Sequence, residues 1–201
     1  MKTHAESFPQ VYLVRHGETA WSLSRQYTGR ADIPLTARGE QDAVELGVHL
    51  KGLEFSQVLM SPLMRARQTA NLIGFGAQAT IEPDLMEWDY GTYEGRRAAE
   101  VQAERPGWDL FEDGCPGGES LADLGQRAER VVEKLRAAKG DVLVVAHRDI
   151  LRILIARWIG LLPIDARRFC LDTASLSIVG YQHSLEEPAI RLLNASGENI
   201  L

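Results

Sequence analysis

The segment QVYLVRHG at residues 10–17 decides the fold, because a short apolar run ends there in charged and polar side chains. Its β-branched and aromatic residues predict a buried strand that ends near Arg15. The run DVLVVA at residues 141–146 predicts a second buried strand, which His147 follows as His16 follows the first. Ligands of an open α/β sheet bind at the carboxyl ends of its strands, so we expect both histidines at a ligand site.

Strand and helix patterns alternate along the chain. Helices are predicted over residues 36–51, 62–73 and 120–139 and from residue 149, and further strands over residues 56–61, 173–181 and 189–193. The alternation predicts the α/β class, a three-layer sandwich in which helices flank a mostly parallel central sheet. Residues 74–118 are rich in glycine and show little periodicity, so we interpret them as an insertion over the site. The 201 residues are expected to form one domain.

Composition and charge disfavour several classes of function. The chain is 45% hydrophobic and 25% charged, as is typical of globular proteins. Its net charge of −6 disfavours a nucleic-acid partner, which needs a basic surface. The first ten residues do not resemble a signal peptide, and no apolar run is long enough to span a membrane. Cys115 and Cys170 match neither a disulfide framework nor a zinc motif, so we expect a cytoplasmic protein.

Arginines lie close to both histidines in the sequence. Arg15 and Gly17 flank His16, and Arg148 follows His147. A nearby guanidinium disfavours protonation of an imidazole, and its planar donors match the oxygens of a phosphate. A lone histidine at a strand end is more often structural, but two in equivalent positions favour transfer of a phosphoryl group. A carboxylate substrate would also bind the arginines, but it would give a nucleophilic histidine no role.

Six segments follow one another in the order of a known family. They are VYLVRHGET at residues 11–19, YTGRADIPLTARG at residues 27–39, SPLMRARQT at residues 61–69, LMEWDYG at residues 85–91, GGES at residues 117–120, and His147. Together they resemble the histidine phosphatase superfamily, which includes cofactor-dependent phosphoglycerate mutase and several sugar phosphatases. The resemblance covers residues 10–195 and implies a phosphoglycerate mutase-like α/β fold.

The resemblance implies a catalytic role for each of five residues. His16 would be the nucleophile that becomes a phosphohistidine, while Arg15, Arg65 and His147 would bind the phosphoryl group. Glu87 would protonate the leaving oxygen and later take a proton from water. Two arginines and a histidine would supply the positive charge, so no metal or other cofactor is expected.

Further residues are expected to bind the rest of a small phosphorylated substrate. They are Ser22, Tyr27, Thr28, Gly29, Tyr93, Arg148 and Arg152. The resemblance implies that Thr28 and Gly29 line the phosphate pocket, and that Ser22 stands where the mutases have asparagine. Tyr27 and Arg152 match positions of the subgroup that includes sedoheptulose 1,7-bisphosphatase.

Two features of the expected binding site stay open at this point. Arg148 stands where the family generally has glycine, so its side chain either grips a second phosphate, crowds His147, or pairs with Asp149 and turns to solvent. The aromatic residues Trp88, Trp108 and Tyr93 either line the substrate mouth or pack inside the insertion.

The segment at residues 96–118 favours a phosphatase over a mutase. Mutases of the family resemble longer chains with an additional basic stretch, whereas this segment is compact and has three arginines and no lysine. The prediction is a metal-independent phosphatase that acts on a sugar phosphate or bisphosphate. A phosphoglycerate mutase, and a catalytically weak binding or regulatory member of the fold, stay as alternatives. His4, His49 and His183 match no motif and are predicted to lie at the surface.

Overall fold

The central sheet forms from the predicted apolar runs. The computed structural model describes residues 8–197, so the surface prediction for His4 falls outside the described range. The strands in this range are β1 (Val11–Arg15), β2 (Gln57–Met60), β3 (Thr80–Ile81), β4 (Val142–Ala146), β5 (Leu176–Tyr181) and β6 (Pro188–Ala195). They pair in the order β3-β2-β4-β1-β5-β6. Strands β1 to β4 are mutually parallel and β5 is antiparallel to β1 and β6, so the mostly parallel sheet is confirmed.

Seven α-helices lie within residues 8–197, and some of them begin at side-chain caps whereas others have none. They are α1 (Ala20–Leu23), α2 (Ala37–Leu50), α3 (Met64–Leu72), α4 (Ala98–Glu104), α5 (Leu110–Asp113), α6 (Leu121–Arg136) and α7 (Arg148–Trp158). The Thr36 side chain accepts a hydrogen bond from the first turn of α2, and Ser120 does the same for α6. The four long helices were predicted within a few residues of their ends. The short α1, α4 and α5 were not, because each is too short to show a helical period.

Two apolar cores lie on opposite faces of the sheet. Along β1, Leu13 packs in the core that includes α6 and α7, whereas Val14 packs in the core that includes α2 and α3. Along β4, Val144 and Val145 divide between the two cores in the same way. This alternation follows from the two-residue period of a strand and confirms the three-layer sandwich.

The predicted insertion contributes to both the sheet and a core. Strand β3 lies within residues 74–118 and pairs with β2 at the edge of the sheet. Trp88 is 0% exposed and Trp108 is 4% exposed, so of the two alternatives for these residues the structure shows packing inside the insertion and not lining of a substrate mouth. Both indoles pack in the core, where their N–H groups donate to the main-chain carbonyls of Glu119 and Gly114. An aromatic side chain with its polar atom paired in this way is stable away from water.

The last two strands differ from their predicted limits. β5 begins at Leu176 and not at residue 173, because Ala174 has a φ of 51°, which a strand does not accommodate. β6 extends beyond the predicted residues 189–193 at both ends. Within residues 8–197, no helix combines the length and the apolar character that crossing a bilayer requires.

Candidate active site

The register of β1 and β4 brings the two histidines together. Arg15 is paired with Ala146 across the two strands, and the main-chain N–H of His16 donates to the Ala146 carbonyl at 3.0 Å. The rings of His16 and His147 lie 5.2 Å apart, and both side chains are buried. The carboxyl ends of two neighbouring parallel strands therefore form the base of the site.

His16 is held as a neutral imidazole with one free nitrogen. Its Nδ1 lies 2.7 Å from the Gly17 carbonyl oxygen, which can only accept, so Nδ1 carries the proton and Nε2 keeps its lone pair. Burial and the guanidinium groups of Arg65 and Arg15 hold the pKa of His16 well below its usual range. The ring is therefore unprotonated at Nε2 at neutral pH, as a nucleophile requires.

Gly17 and Gly39 keep the loop after β1 against the start of α2. A Cβ at Gly17 would lie 2.4 Å from the Gly39 carbonyl oxygen, and a Cβ at Gly39 would lie 2.2 Å from that of Glu18. The Gly17 N–H also donates to the Thr69 hydroxyl at 3.0 Å. Close main-chain contact, rather than a special backbone angle, therefore requires both glycines.

Arg65 is fully buried at the start of α3, and main-chain carbonyls fix its guanidinium. Nη1 donates to Ala31 at 2.9 Å, and Nη2 donates to Thr28 and Gly29 at 3.0 Å each. The Glu94 carboxylate in turn accepts from three successive main-chain N–H groups at residues 29–31. The carbonyls of the loop after Tyr27 thus bind Arg65, and its N–H groups bind Glu94. The loop therefore fixes the position of the Arg65 guanidinium.

Three buried donors around His16 have no hydrogen-bond partner within residues 8–197. They are Nε of Arg15, Nε of Arg65 and Nδ1 of His147. The Ser61 hydroxyl lies 2.7 Å from His147 Nε2, which is the one acceptor within residues 8–197 that the hydroxyl proton reaches, and this assigns the ring proton to Nδ1. Buried polar groups are normally paired, so these unpaired donors mark a position that an anion fits.

Glu87 lies at the amino end of α7. Its carboxylate accepts hydrogen bonds of 3.0 to 3.1 Å from the main-chain N–H groups of Trp88, Asp149 and Ile150. The side chain is buried, with 4% of the residue exposed. Burial, followed by the nearby charge of Asp149, raises the pKa of Glu87 above its usual value. A carboxyl group in this environment suits proton transfer near neutral pH.

A cavity of about 340 Å³ opens at this edge of the sheet. Several predicted site residues line it, namely Arg15, His16, Ser22, Tyr27, Thr28, Glu87 and Arg148. Arg25, Gln26, Tyr90 and Ala98 also line it and were not predicted. Gly29 lies behind the cavity lining, where a Cβ would approach the Trp88 carbonyl oxygen to 2.4 Å.

Two predicted substrate-binding residues point elsewhere. Arg152 donates to the Ala166 carbonyl and to the Asp149 carboxylate at 2.9 Å each, and it does not line the cavity. Tyr93 is 6% exposed in the core beside Trp108, and its hydroxyl accepts from Arg105. These placements run against direct substrate contact, because the polar atoms of both side chains already have partners inside the protein.

Arg148 pairs with Asp149 and still lines the cavity. Its Nε and Nη2 donate to the two carboxylate oxygens of Asp149 at 3.0 and 3.2 Å, while 40% of its side chain is exposed. Asp149 itself is fully buried and also accepts from the Tyr90 hydroxyl at 2.6 Å. The sequence contained one signal for this network, an acidic residue in the first turn of an apolar helix.

The residues from 8 to 197 contain no cluster of three or more His, Cys, Asp or Glu side chains arranged to hold a metal ion. The positive charge in the site comes from the guanidinium groups of Arg15, Arg65 and Arg148. Burial lowers the pKa of Arg15 to about 10, which still leaves the group protonated at neutral pH.

The fold and the site together define a phosphoglycerate mutase-like α/β protein with two buried histidines at the ends of neighbouring strands. The chain belongs to the histidine phosphatase superfamily (branch 1), whose model matches residues 11–196. It is an enzyme, a phosphoric monoester hydrolase of this superfamily.

Individual relatives carry several activities. An acid phosphatase of Mycobacterium tuberculosis is 36% identical over 185 residues, which cover 90% of this chain and 91% of the relative. Sedoheptulose 1,7-bisphosphatase of Saccharomyces cerevisiae is 29% identical, with 92% of both chains covered. "Probable phosphoglycerate mutase GpmB" of Salmonella choleraesuis is 36% identical, with 87% of this chain and 86% of the relative covered.

Solved structures agree with the sequence relatives. The product of an open reading frame of Mycobacterium tuberculosis superposes with a TM-score of 0.88 at 36% identity, over 94% of this chain and 99% of that one. The predicted family and fold class are thereby confirmed.

Proposed function

We propose that this enzyme hydrolyses a small phosphate ester through a phosphohistidine at Nε2 of His16, without a metal ion. One observation carries the proposal: unpaired buried donors of Arg15, Arg65 and His147 surround a neutral histidine whose Nε2 is free. Donors fixed before the substrate arrives stabilise the charge on the phosphoryl oxygens without reorganisation.

In the first step, His16 Nε2 forms a bond to phosphorus while the bond from phosphorus to the leaving oxygen breaks. Glu87 gives its proton to that oxygen, which departs as an alcohol. The phosphorylated ring keeps its Nδ1 proton and therefore carries a positive charge. The Gly17 carbonyl, 2.7 Å from Nδ1, stabilises that charge.

In the second step, the Glu87 carboxylate takes a proton from a water molecule, whose oxygen attacks phosphorus. The bond from phosphorus to Nε2 breaks, inorganic phosphate leaves, and His16 returns to its neutral form. Glu87 alternates between acid and base, and its raised pKa supports both roles near neutral pH.

We propose a sugar phosphate or bisphosphate as the substrate. The cavity of about 340 Å³ lies in the range of small-molecule sites and has room beyond the phosphoryl group. Arg25 and Arg148 line it and could bind a further anionic substituent. The similarity to sedoheptulose 1,7-bisphosphatase supports this class of substrate. The free thiols of Cys115 and Cys170 are compatible with the cytoplasm that we propose as its location.

A phosphoglycerate mutase is the second candidate, because one relative with 36% identity carries that name. A mutase returns the phosphoryl group to the substrate, whereas a phosphatase passes it to water. Assays of phosphate release from sugar mono- and bisphosphates, beside exchange of 3-phosphoglycerate with 2-phosphoglycerate, separate the two. The proposal expects phosphate release, and dominant exchange would identify a mutase.

Rapid quench with a ³²P-labelled substrate tests the nucleophile. The wild-type enzyme should yield an acid-labile, base-stable adduct, and His16→Ala should yield none. His183→Ala is the matched control, because His183 is an exposed histidine whose side chain is 74% accessible. An adduct that persists in His16→Ala would contradict the assignment. Vanadate should inhibit and EDTA should not, so loss of activity on chelation would contradict the metal-independent reaction.

A further inference from the structure

Two buried acidic residues, Glu87 and Asp149, are in contact at the amino end of α7. The main-chain N–H of Asp149 donates to both carboxylate oxygens of Glu87 at 3.1 Å, so the two residues are in direct contact. Both side chains are buried, with 4% of Glu87 and none of Asp149 exposed. The negative charge of Asp149 also acts on the Glu87 carboxyl group, so the two groups do not ionise independently.

The surroundings of the two carboxyl groups differ. Asp149 accepts two hydrogen bonds from Arg148, one of 2.9 Å from Arg152 and one of 2.6 Å from the Tyr90 hydroxyl. Glu87 accepts only main-chain N–H groups. Two guanidinium groups therefore compensate the charge of Asp149 directly, whereas no side chain in the described range donates to Glu87.

We propose that Asp149 is a positioning residue for the reaction: held ionised by Arg148, Arg152 and Tyr90, it makes Glu87 the carboxyl group of the pair that carries the exchangeable proton. The inference rests on the proposed function, in which Glu87 is the acid and base. It also gives Arg148 a role, because the ion pair with Asp149 partly neutralises the positive charge that Arg148 places near Glu87.

Five charged side chains and one neutral hydroxyl lie near Glu87, and the balance among them supports the assignment. They are Arg148 and Asp149 of α7, Arg15 of β1, Arg65 of α3, Arg127 of α6 and the Tyr90 hydroxyl. Burial and Asp149 raise the pKa of Glu87 more than Arg148 and the main-chain hydrogen bonds lower it. For Asp149, burial alone would raise the pKa, but Arg148, Arg152 and Tyr90 hold the pKa well below its usual range.

The pH dependence of kcat/KM in the full-length enzyme tests the inference. With an alkyl phosphate, whose alcohol leaves poorly, the alkaline limb reports the loss of the Glu87 proton. Asp149→Asn removes the neighbouring negative charge and leaves Arg148 uncompensated. We expect the limb to move to lower pH by about one unit, with about a tenfold loss above the limb. With p-nitrophenyl phosphate the loss should be much smaller, because that leaving group needs little protonation.

Arg148→Gln supplies a test of opposite sign. It removes a positive charge near Glu87 and should move the alkaline limb to higher pH, whatever its effect on substrate binding. Glu45→Gln is the matched control, because it removes one negative charge from the exposed face of α2. If Asp149→Asn does not fold, the double variant Arg148→Gln/Asp149→Asn is compared with Arg148→Gln. The limb should lie at lower pH in the double variant, because it differs only by the charge of Asp149.

The outcomes separate the inference from the proposed function. Opposite shifts in Asp149→Asn and Arg148→Gln support the inference. A uniform loss across pH and across both leaving groups in Asp149→Asn would show a merely structural role and overturn it. Coincident limbs in Arg148→Gln and in the double variant Arg148→Gln/Asp149→Asn would overturn it as well. If the wild-type enzyme forms no phosphohistidine in the quench experiment, the proposed function itself fails.

Discussion

The two ends of the cavity are built on different principles. The base lies at the ends of two strands and the start of one helix, where Arg15 and His16 line the cavity and Arg65 and His147 are fully buried and do not line it. The rim, formed by residues 22–28 together with Ala98 and Arg148, lies on loops and helix starts. The register of a buried sheet fixes the base, whereas local turns fix the rim.

The base and the rim differ in burial, as expected if the base carries the chemistry and the rim recognises the substrate. His16, Arg65 and His147 are at most 4% exposed. At the rim, Ser22 is held only by its neighbour Thr19, and Arg25 is exposed with a left-handed φ of 60°. Chemistry needs donors that do not move, and recognition of varied substrates tolerates side chains that do. Substitutions should therefore have large effects on rate at the base and small effects on selectivity at the rim.

The largest effect after loss of the nucleophile is expected at Glu87, which lies between base and rim. Glu87→Gln keeps the shape but cannot donate the proton, so kcat/KM for an alkyl phosphate should fall by about 10² to 10⁴. The fall for p-nitrophenyl phosphate should be smaller. Steady-state assays on both substrates check this, with the exposed Glu186→Gln as control. Equal losses on both substrates would show that Glu87 is not the acid.

Arg65→Lys tests whether phosphoryl binding at the base of the site requires the several fixed donors of a guanidinium group. An ammonium group cannot donate at once to the carbonyls of Ala31, Thr28 and Gly29 and also to a phosphoryl oxygen. We expect kcat/KM to fall by about 10² to 10³. Arg67→Lys, two residues further along the same helix and exposed, should change little. A loss below tenfold in Arg65→Lys would mean that charge alone suffices at the base.

Lowering the pH should destabilise the folded protein, because His147 at the base of the site is buried as a neutral imidazole. Burial holds the pKa of His147 well below its usual range, so between that folded pKa and about 6.5 the unfolded chain binds a proton that the folded chain does not. The free energy of unfolding should then fall by about 1.4 kcal/mol for each pH unit lost in that window. Urea unfolding of His147→Gln should show a slope smaller by this amount. His183→Gln should keep the wild-type slope, and an unchanged slope in His147→Gln would contradict the prediction.

The smallest effect is expected at the rim. Arg148→Gly should reduce the preference for a sugar bisphosphate over the matching monophosphate by less than tenfold, because Arg148 is partly exposed and already paired with Asp149. Phosphohistidine formation should persist. Paired kinetics on the two substrates check this, with the exposed Arg168→Gly as control. An unchanged ratio would place Arg148 outside recognition, and a gain on every substrate would show that it obstructs the cavity.

The contrast between base and rim also separates what the sequence predicts from what it does not. The positions of His16 and His147 follow from two apolar runs, because adjacent parallel strands end at the same edge. The network around Asp149 depends on Tyr90, which is 59 residues away, and the loop of Arg65 depends on Glu94. Such contacts arise from the packing of the insertion, which has no periodic signal.

Several features of the insertion could not be placed from the sequence for the same physical reason. Aromatic residues such as Trp88, Trp108 and Tyr93 are typical both of substrate-binding sites and of cores. Here their polar atoms have partners inside the protein, and their rings pack in a core. Strand β3 has two residues, both exposed, and therefore shows no apolar pattern. The catalytic roles of the base residues stay predictions until the trapping experiment is done.

The contact between Gly17 and Gly39 sets a boundary for engineering this enzyme. A side chain at either position meets main-chain atoms at 2.4 Å or less, so no second substitution elsewhere can make room for it. A library that aims to change the substrate range therefore gains nothing by varying these two positions. Substitutions at residues 22–28 change the shape of the cavity and leave the loop of His16 and Gly17 in place. Substrate specificity can therefore be changed without altering the catalytic residues.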